Sequence, residues 1–267
     1  MNRSGAMDAI NRQTMSTAVH EYQAIVDEGL NPQERAALAT FGPDIRNARI
    51  LDLGVGAGRT VTPLLALSQQ YVGVDYMQEM VEHCRSKFPG VRFEKADARD
   101  MSVFPDSSFD LVFFSCNGIC MVDHAGRLAI LKEVSRVLRP GGTFVFSTCN
   151  RNSSQYEAGF RFPPFQSTRN PAAFLVRGSR FAAQTARRLR NRLRFRRHEV
   201  RTREYSILND VCHHYSTMLY FIDMRQQPIQ LESQGLTPVF QPYDLQGRPA
   251  DEGCRDGTLA FVAKKPG

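Results

Sequence analysis

Three acidic residues and a run of glycines carry the clearest chemistry in this sequence. Asp52 is followed by glycines at 54, 56 and 58, Asp75 lies 23 residues after Asp52, and Asp97 another 22 beyond it. Glycines after a short apolar run let a backbone pass close to a ligand because no side chain intervenes. An acid some 20 residues further on is placed to accept hydrogen bonds from both hydroxyls of a ribose. The pattern therefore points to a nucleoside. A dinucleotide turn of the G-x-G-x-x-G type requires a small residue at position 59 so that the helix packs on the strand. Arg59 stands there, which argues against a bound pyrophosphate.

These residues need a scaffold that brings strand ends together, and the sequence around them supplies one. Short apolar strands are expected at Ala48 to Leu53, Tyr71 to Asp75, Val91 to Ala96, Phe109 to Phe114 and Thr143 to Ser147. Helices are expected between them, from about Arg59 to Ser68 and Gln78 to Phe88, and after Asp123, where Leu128, Leu131, Val134 and Val137 recur with a period near 3.6. Alternation of this kind builds a parallel sheet covered on both faces by right-handed crossovers. In such a sheet ligands bind beyond the carboxyl ends of the strands, where Asp52, Asp75, Asp97 and Asn117 fall.

Together, Asp52-Leu53-Gly54-Val55-Gly56-Ala57-Gly58, Asp75, Asp97, Phe109-Asp110-Leu111-Val112 and Leu138-Arg139-Pro140-Gly141-Gly142-Thr143 resemble the landmarks of the class I S-adenosylmethionine-dependent methyltransferases, in the same order. The resemblance covers about 50 to 148 well and the C-terminal strands loosely. It implies an α/β fold with a doubly wound, mostly parallel seven-stranded sheet. It also implies S-adenosylmethionine as co-substrate, with no metal. By resemblance, the backbone around Asp52, Gly54 and Gly56 holds the methionine end, Asp75 the ribose, Tyr76 and Met77 flank the adenine, and Asp97 with the Ala98 amide reads its edge. Asn117 is expected near the sulfur, and Tyr22 closes over the donor as a tyrosine does in some similar enzymes.

The expected organisation is an N-terminal helical cap (1–43), the cofactor-binding core (44–149), an insertion forming an acceptor-binding lid (150–223) and a C-terminal completion of the sheet (224–267). In the cap, a helix is expected from roughly Ser16 to Glu28 and another after Asn31-Pro32, where proline suits the first turn. A helix from about Met224 to Gln234 and strands near Thr237 to Pro242 and Thr258 to Ala263 close the chain.

A sulfonium is an activated methyl donor, so displacement requires chiefly an aligned approach with water excluded. For a hydroxyl or ammonium acceptor, histidine is the usual general base, and His213, His214 and His124 are the candidates. The acceptor is read as a small molecule, potentially anionic, methylated on O or N, in a cytoplasmic enzyme. No apolar run approaches the ~20 residues needed to span a bilayer, and residues 1–15 carry no basic start and apolar stretch of a secretory signal. Six scattered cysteines without a C-x-x-C pair argue against a zinc site or disulfide framework.

The net charge of +7 is local: Arg177 to Arg203 holds eleven arginines against Glu199, giving +10 there and −3 elsewhere. Across Arg187 to Arg197, Leu189 and Leu193, four apart, define an amphipathic helix expected to pack its apolar stripe down, and Arg187 to Arg203 is the basic stretch a partner would meet. Such a cluster attracts anions, so RNA and an anionic membrane are rival partners. Ser115-Cys116-Asn117-Gly118 lacks the Asn/Asp-Pro-Pro-aromatic and Pro-Cys sequences of base-modifying relatives, which disfavours RNA. A fold that binds the donor without catalysis, serving as an interaction partner, is the remaining alternative.

Overall fold

The computed structural model describes residues 3–17, 29–41, 43–154, 156, 159–165, 167–239 and 241–267. Five strands and the helices between them follow the expected alternation: β1 (Ile50–Leu53), β2 (Tyr71–Asp75), β3 (Arg92–Lys95), β4 (Phe109–Phe114) and β5 (Leu138–Asn150). Before β1 lie α1 (Arg3–Thr17) and α2 (Pro32–Ala39). The crossover helices are α3 (Val61–Leu67), α4 (Gln78–Lys87) and α5 (His124–Val137). Asp123 caps α5 by accepting the Gly126 amide at 2.8 Å, which satisfies one of the free N–H groups at a helix start.

β1 pairs in parallel with both β2 and β4, β2 with β3, and β4 with β5. β10 (Thr258–Lys264) runs antiparallel along β5, and β9 (Thr237–Pro238) pairs with β10. This gives a seven-stranded order β3-β2-β1-β4-β5-β10-β9 with one antiparallel member. α7 (Gln226–Glu232) precedes β9. Strands β1 and β4 are buried at every residue, as expected of strands covered on both faces.

The insertion holds more regular structure than its sequence suggested. After β5 come α6 (Pro171–Phe195), β6 (Val200–Arg201), β7 (Tyr205–Asp210) and β8 (Thr217–Ile222). β8 joins the sheet in parallel at Cys149 and Asn150 of β5, and β7 and β6 add to it antiparallel, bringing the sheet to ten strands.

α6 departs from expectation in its orientation. Asn191 and Phe195 are its buried residues, whereas Leu189 and Leu193 are exposed. The leucine stripe expected to pack down faces outward, because Asn191 Nδ2 donates to the His214 carbonyl at 2.9 Å and turns that edge of the helix onto the body.

The N-terminal helix also differs. Residues 3–17 form α1, with Ala6, Met7, Ile10 and Thr14 buried, where the sequence reading placed no helix before Ser16. Most of the expected Ser16–Glu28 helix lies outside the described residues. All six cysteines are free thiols; Cys84, Cys120 and Cys149 are buried.

Candidate active site

A cavity opens at the carboxyl ends of β1, β2 and β4, with α1 on its open side. Its lining includes Gly54 and Gly56 from the turn after β1, Asp75, Tyr76 and Met77 from the end of β2, Asp97 and Ala98 after β3, and Ser115 and Cys116 after β4. α1 contributes Asp8, Asn11, Arg12 and Met15. Seven of the ten residues expected at a cofactor are thus brought together: Gly54, Gly56, Asp75, Tyr76, Met77, Asp97 and Ala98.

The first turn is shaped by close approach. Gly54 has φ +65°, and a Cβ there would stand 2.9 Å from the Phe114 ring, closer than side-chain carbons pack. The turn is tied to β2 by the Val55 amide, which donates to the Val74 carbonyl at 3.0 Å, and by the Gly56 amide, which donates to Asp75 Oδ2 at 3.0 Å. Asp75 Oδ1 accepts the Met77 amide at 2.9 Å. Burial pushes the Asp75 carboxyl up, and these backbone amides hold it back without cancelling the rise. A carboxylate offers about four acceptor positions, so Asp75 retains capacity toward the cavity.

The Asp52 side chain lies beneath the turn, apart from the cavity wall. It is fully buried and absent from the cavity lining. Its Oδ2 accepts from Thr60 Oγ1 at 2.5 Å and Tyr71 Oη at 2.8 Å, joining β1 to the start of α3 and to β2. Burial pushes its carboxyl up to about 7 against those two hydrogen bonds.

Arg59 explains why no small residue is needed at the third position. Its guanidinium meets Glu34 of α2 through two hydrogen bonds, of 2.9 and 2.7 Å, and lies 3.0 Å from Cys116 Sγ. Glu34 also accepts the Asn31 amide at 2.8 Å. The pair is buried, with side-chain exposures of 8% and 2%. Arg59 thus anchors α2 beside the cavity.

Asp97 is held by two arginines. Arg99 approaches it through Nε at 2.9 Å and Nη2 at 2.7 Å, and Arg12 Nη2 reaches it at 3.0 Å. Arg99 also pairs with Asp8 on α1, and Arg12 lies 4.7 Å above the Tyr76 ring. Burial alone would raise the Asp97 carboxyl, but its bonds to Arg99 and the nearby Arg12 charge bring it below the usual range. These contacts bind α1 to the core beside the cavity.

The remaining candidates fall elsewhere. Asn117, with φ +58°, turns away from the cavity: its amide donates to Ser147 Oγ at 2.8 Å and its Nδ2 to Thr258 Oγ1 at 2.9 Å. His124 Nδ1 is 2.9 Å from Tyr220 Oη and its ring stacks on Tyr205 at 4.3 Å; burial lowers its pKa. His213 and His214 occupy a left-handed turn at φ +48° and +59°. None of the three histidines lines the cavity. Nor does any described residue of 150–223; α1 lines this cavity, and β8 packs behind α1. Tyr22 lies outside the described residues. Among the described residues no group of three His, Cys, Asp or Glu side chains is placed to hold a metal.

The α1 residues escaped the sequence reading, although Ala6, Met7, Ile10 and Thr14 recur at helical spacing. That periodicity was the available signal, and short polar neighbours obscured it.

Residues 50–142 match the family model described as a methyltransferase domain. The chain is 33% identical over 140 residues to demethylmenaquinone methyltransferase of Clavibacter sepedonicus, covering 50% of this chain and 56% of that one. It is 32% identical over 124 residues to trans-aconitate 2-methyltransferase of Methylobacterium nodulans, covering 46% and 45%. The matched segment spans 38 to 56% of the first curated relatives' lengths. Among solved structures, 1,6-didemethyltoxoflavin-N1-methyltransferase of Burkholderia thailandensis, with S-adenosylhomocysteine bound, superposes with a TM-score of 0.60 at 15% identity, covering 99% of this chain and 91% of that one. That likeness is one of fold. Residues 50–142 therefore match a methyltransferase domain, set in a chain whose fold is similar to that of the class I S-adenosylmethionine-dependent methyltransferases.

Proposed function

We propose that this protein transfers a methyl group from S-adenosylmethionine to an oxygen or nitrogen of a small, largely uncharged molecule by direct displacement. The carrying observation is Asp75, a nearly buried carboxylate at the end of β2 that faces the cavity beside Gly54 and Gly56. It fits a ribose diol: each hydroxyl donates to one carboxylate oxygen while the amides of Gly56 and Met77 hold that carboxylate in place. Tyr76 and Met77 flank the base, Ala98 offers its amide to the base edge, and Asp97 supports that edge while paired with Arg12 and Arg99. The glycine turn admits the amino-acid end. Asp52 acts as a positioning residue beneath it.

The cavity's charge supports the acceptor class. Each arginine lining it already meets a carboxylate: Arg12 and Arg99 meet Asp97, Arg99 also meets Asp8, and Arg59 meets Glu34. An anionic acceptor would have to displace one of these pairs, whereas Met15, Cys116, Met121 and Val122 offer a weakly polar wall. With a sulfonium donor, alignment and exclusion of water do most of the work, and α1 supplies the cover.

The test is isothermal calorimetry with S-adenosylmethionine, followed by an acceptor screen read as S-adenosylhomocysteine release. Binding with release for uncharged acceptors supports the reading. Binding without release for any acceptor would favour a donor-binding interaction protein.

A further inference from the structure

We infer that the outward face of α6 docks on the headgroup region of an anionic lipid bilayer. Leu175, Ala182, Ala186, Leu189 and Leu193 follow one another by seven, four, three and four residues, the spacing of a single stripe on an α-helix. All five are exposed, the three leucines by 72%, 48% and 58%. At about 100° per residue this stripe stands roughly opposite Asn191 and Phe195, the two residues through which α6 is buried against the body. Its C-terminal half is fastened there by the Asn191 bond to the His214 carbonyl, by Arg188 Nη1 donating to the Arg161 carbonyl at 2.8 Å, and by the Arg192–Glu199 pair. The helix is thus held with its apolar side toward water.

Charge selects the occupant. Between Pro171 and His198 there are nine arginines and no acid, and Arg187, Arg190 and Arg194 run exposed beside the leucines. A second copy of this chain would set two arginine-rich helices against each other with no carboxylate between them. A nucleic acid would neutralise the guanidinium groups and leave the leucines in water. A bilayer containing anionic lipids takes up both: the arginines meet phosphate groups while the leucines enter the acyl boundary, with the helix lying in the interface plane. No described helix is long and apolar enough to cross a membrane, so the contact is peripheral. Phe162 and Phe165, both exposed, extend the apolar surface near the start of α6, where Phe165 meets Phe174 edge-on at 5.8 Å.

The test is co-sedimentation of the full chain with vesicles of phosphatidylcholine, with and without about one-third phosphatidylglycerol, at low salt and at ~1 M salt. Partition onto the anionic vesicles should exceed that onto pure phosphatidylcholine by at least ~10-fold and fall steeply with salt. The L175E/L189E/L193E variant, altered only at exposed positions, should lose at least ~10-fold in partition while keeping its melting temperature. R187Q/R190Q/R194Q should weaken binding to the anionic vesicles selectively. The inference is overturned if the native chain binds neither vesicle, binds both equally, or binds as well after the leucine substitutions. It is also overturned if those substitutions abolish only self-association or RNA binding. S-adenosylmethionine titration of the same preparations reports on the methyl-donor site separately, so failure of either reading is recognisable.

Discussion

Asn11 of α1 and Met218 of β8 exchange two hydrogen bonds across 207 residues of sequence: Asn11 Nδ2 donates to the Met218 carbonyl at 2.8 Å, and the Met218 amide donates to Asn11 Oδ1 at 2.9 Å. Asn11 Nδ2 also donates to the Met121 carbonyl at 2.7 Å. One side chain thus joins the cavity's cover to the inserted strands and to the segment after β4. Replacing it with alanine leaves buried backbone groups unsatisfied, at about 1–3 kcal/mol. Asn11→Ala is therefore expected to raise amide exchange in residues 3–17 and to weaken S-adenosylmethionine binding by roughly 10-fold. The exchange pattern in β1 to β5 should be preserved, and mass-spectrometric exchange checks both expectations.

The ion pairs of Asp97 set a pH dependence. Its folded pKa lies below the unfolded value because Arg99 and Arg12 outweigh burial, so the stabilisation is present above the unfolded carboxylate pKa and is lost as pH falls through the folded one. Protection of α1 should accordingly persist at mildly acid pH and fail only below the usual carboxylate range. In Arg99→Gln the failure should move to higher pH. Exchange of α1 amides across an acid series reads the shift.

Asp52 has the opposite sign. Its folded pKa is raised to about 7, so its contribution is complete below the unfolded value and is lost as pH rises through 7. Asp52→Asn removes that titration. The melting temperature of the variant relative to the native chain should rise between mildly acid pH and pH 8, by on the order of 5 °C. A constant difference across that range would contradict a buried, reluctantly ionised Asp52.

His213, His214 and Tyr215 lie in succession at positive φ, each costing roughly 1–2 kcal/mol for a residue with a Cβ. At His213, glycine is expected to give the more stable protein than alanine by about 1 kcal/mol, measured by denaturant unfolding. Because neither histidine lines the cavity, turnover of the two variants with a working acceptor should agree within about threefold.

What was legible in the sequence follows from local physics. β2 and β4 fall at the residues expected because short apolar runs ending at Asp75 and before Ser115 have few alternatives. The glycine turn and the acids at 75 and 97 are read from type and spacing alone. The insertion was not legible because β8 is set by pairing with the end of β5 and with β7, which is tertiary information. Leu189 and Leu193 show the limit most clearly: periodicity identified an amphipathic helix, but Asn191 and Phe195 decided which face the body covers. The orientation of Asn117 is likewise not legible, since its left-handed backbone carries the side chain toward Thr258. Asp97 lines the cavity as its spacing suggests, but its ion pair with Arg12, 85 residues earlier on α1, is tertiary information.

The central claim is that Asp75 holds the ribose of S-adenosylmethionine. Two hydrogen bonds to a charged acceptor contribute about 1.5–3 kcal/mol each. Isothermal calorimetry should therefore give binding to the native chain and a loss of at least ~30-fold for Asp75→Asn, with the variant's fold confirmed by circular dichroism. Absence of binding to the native chain, or an unchanged affinity in a folded Asp75→Asn protein, would contradict the account.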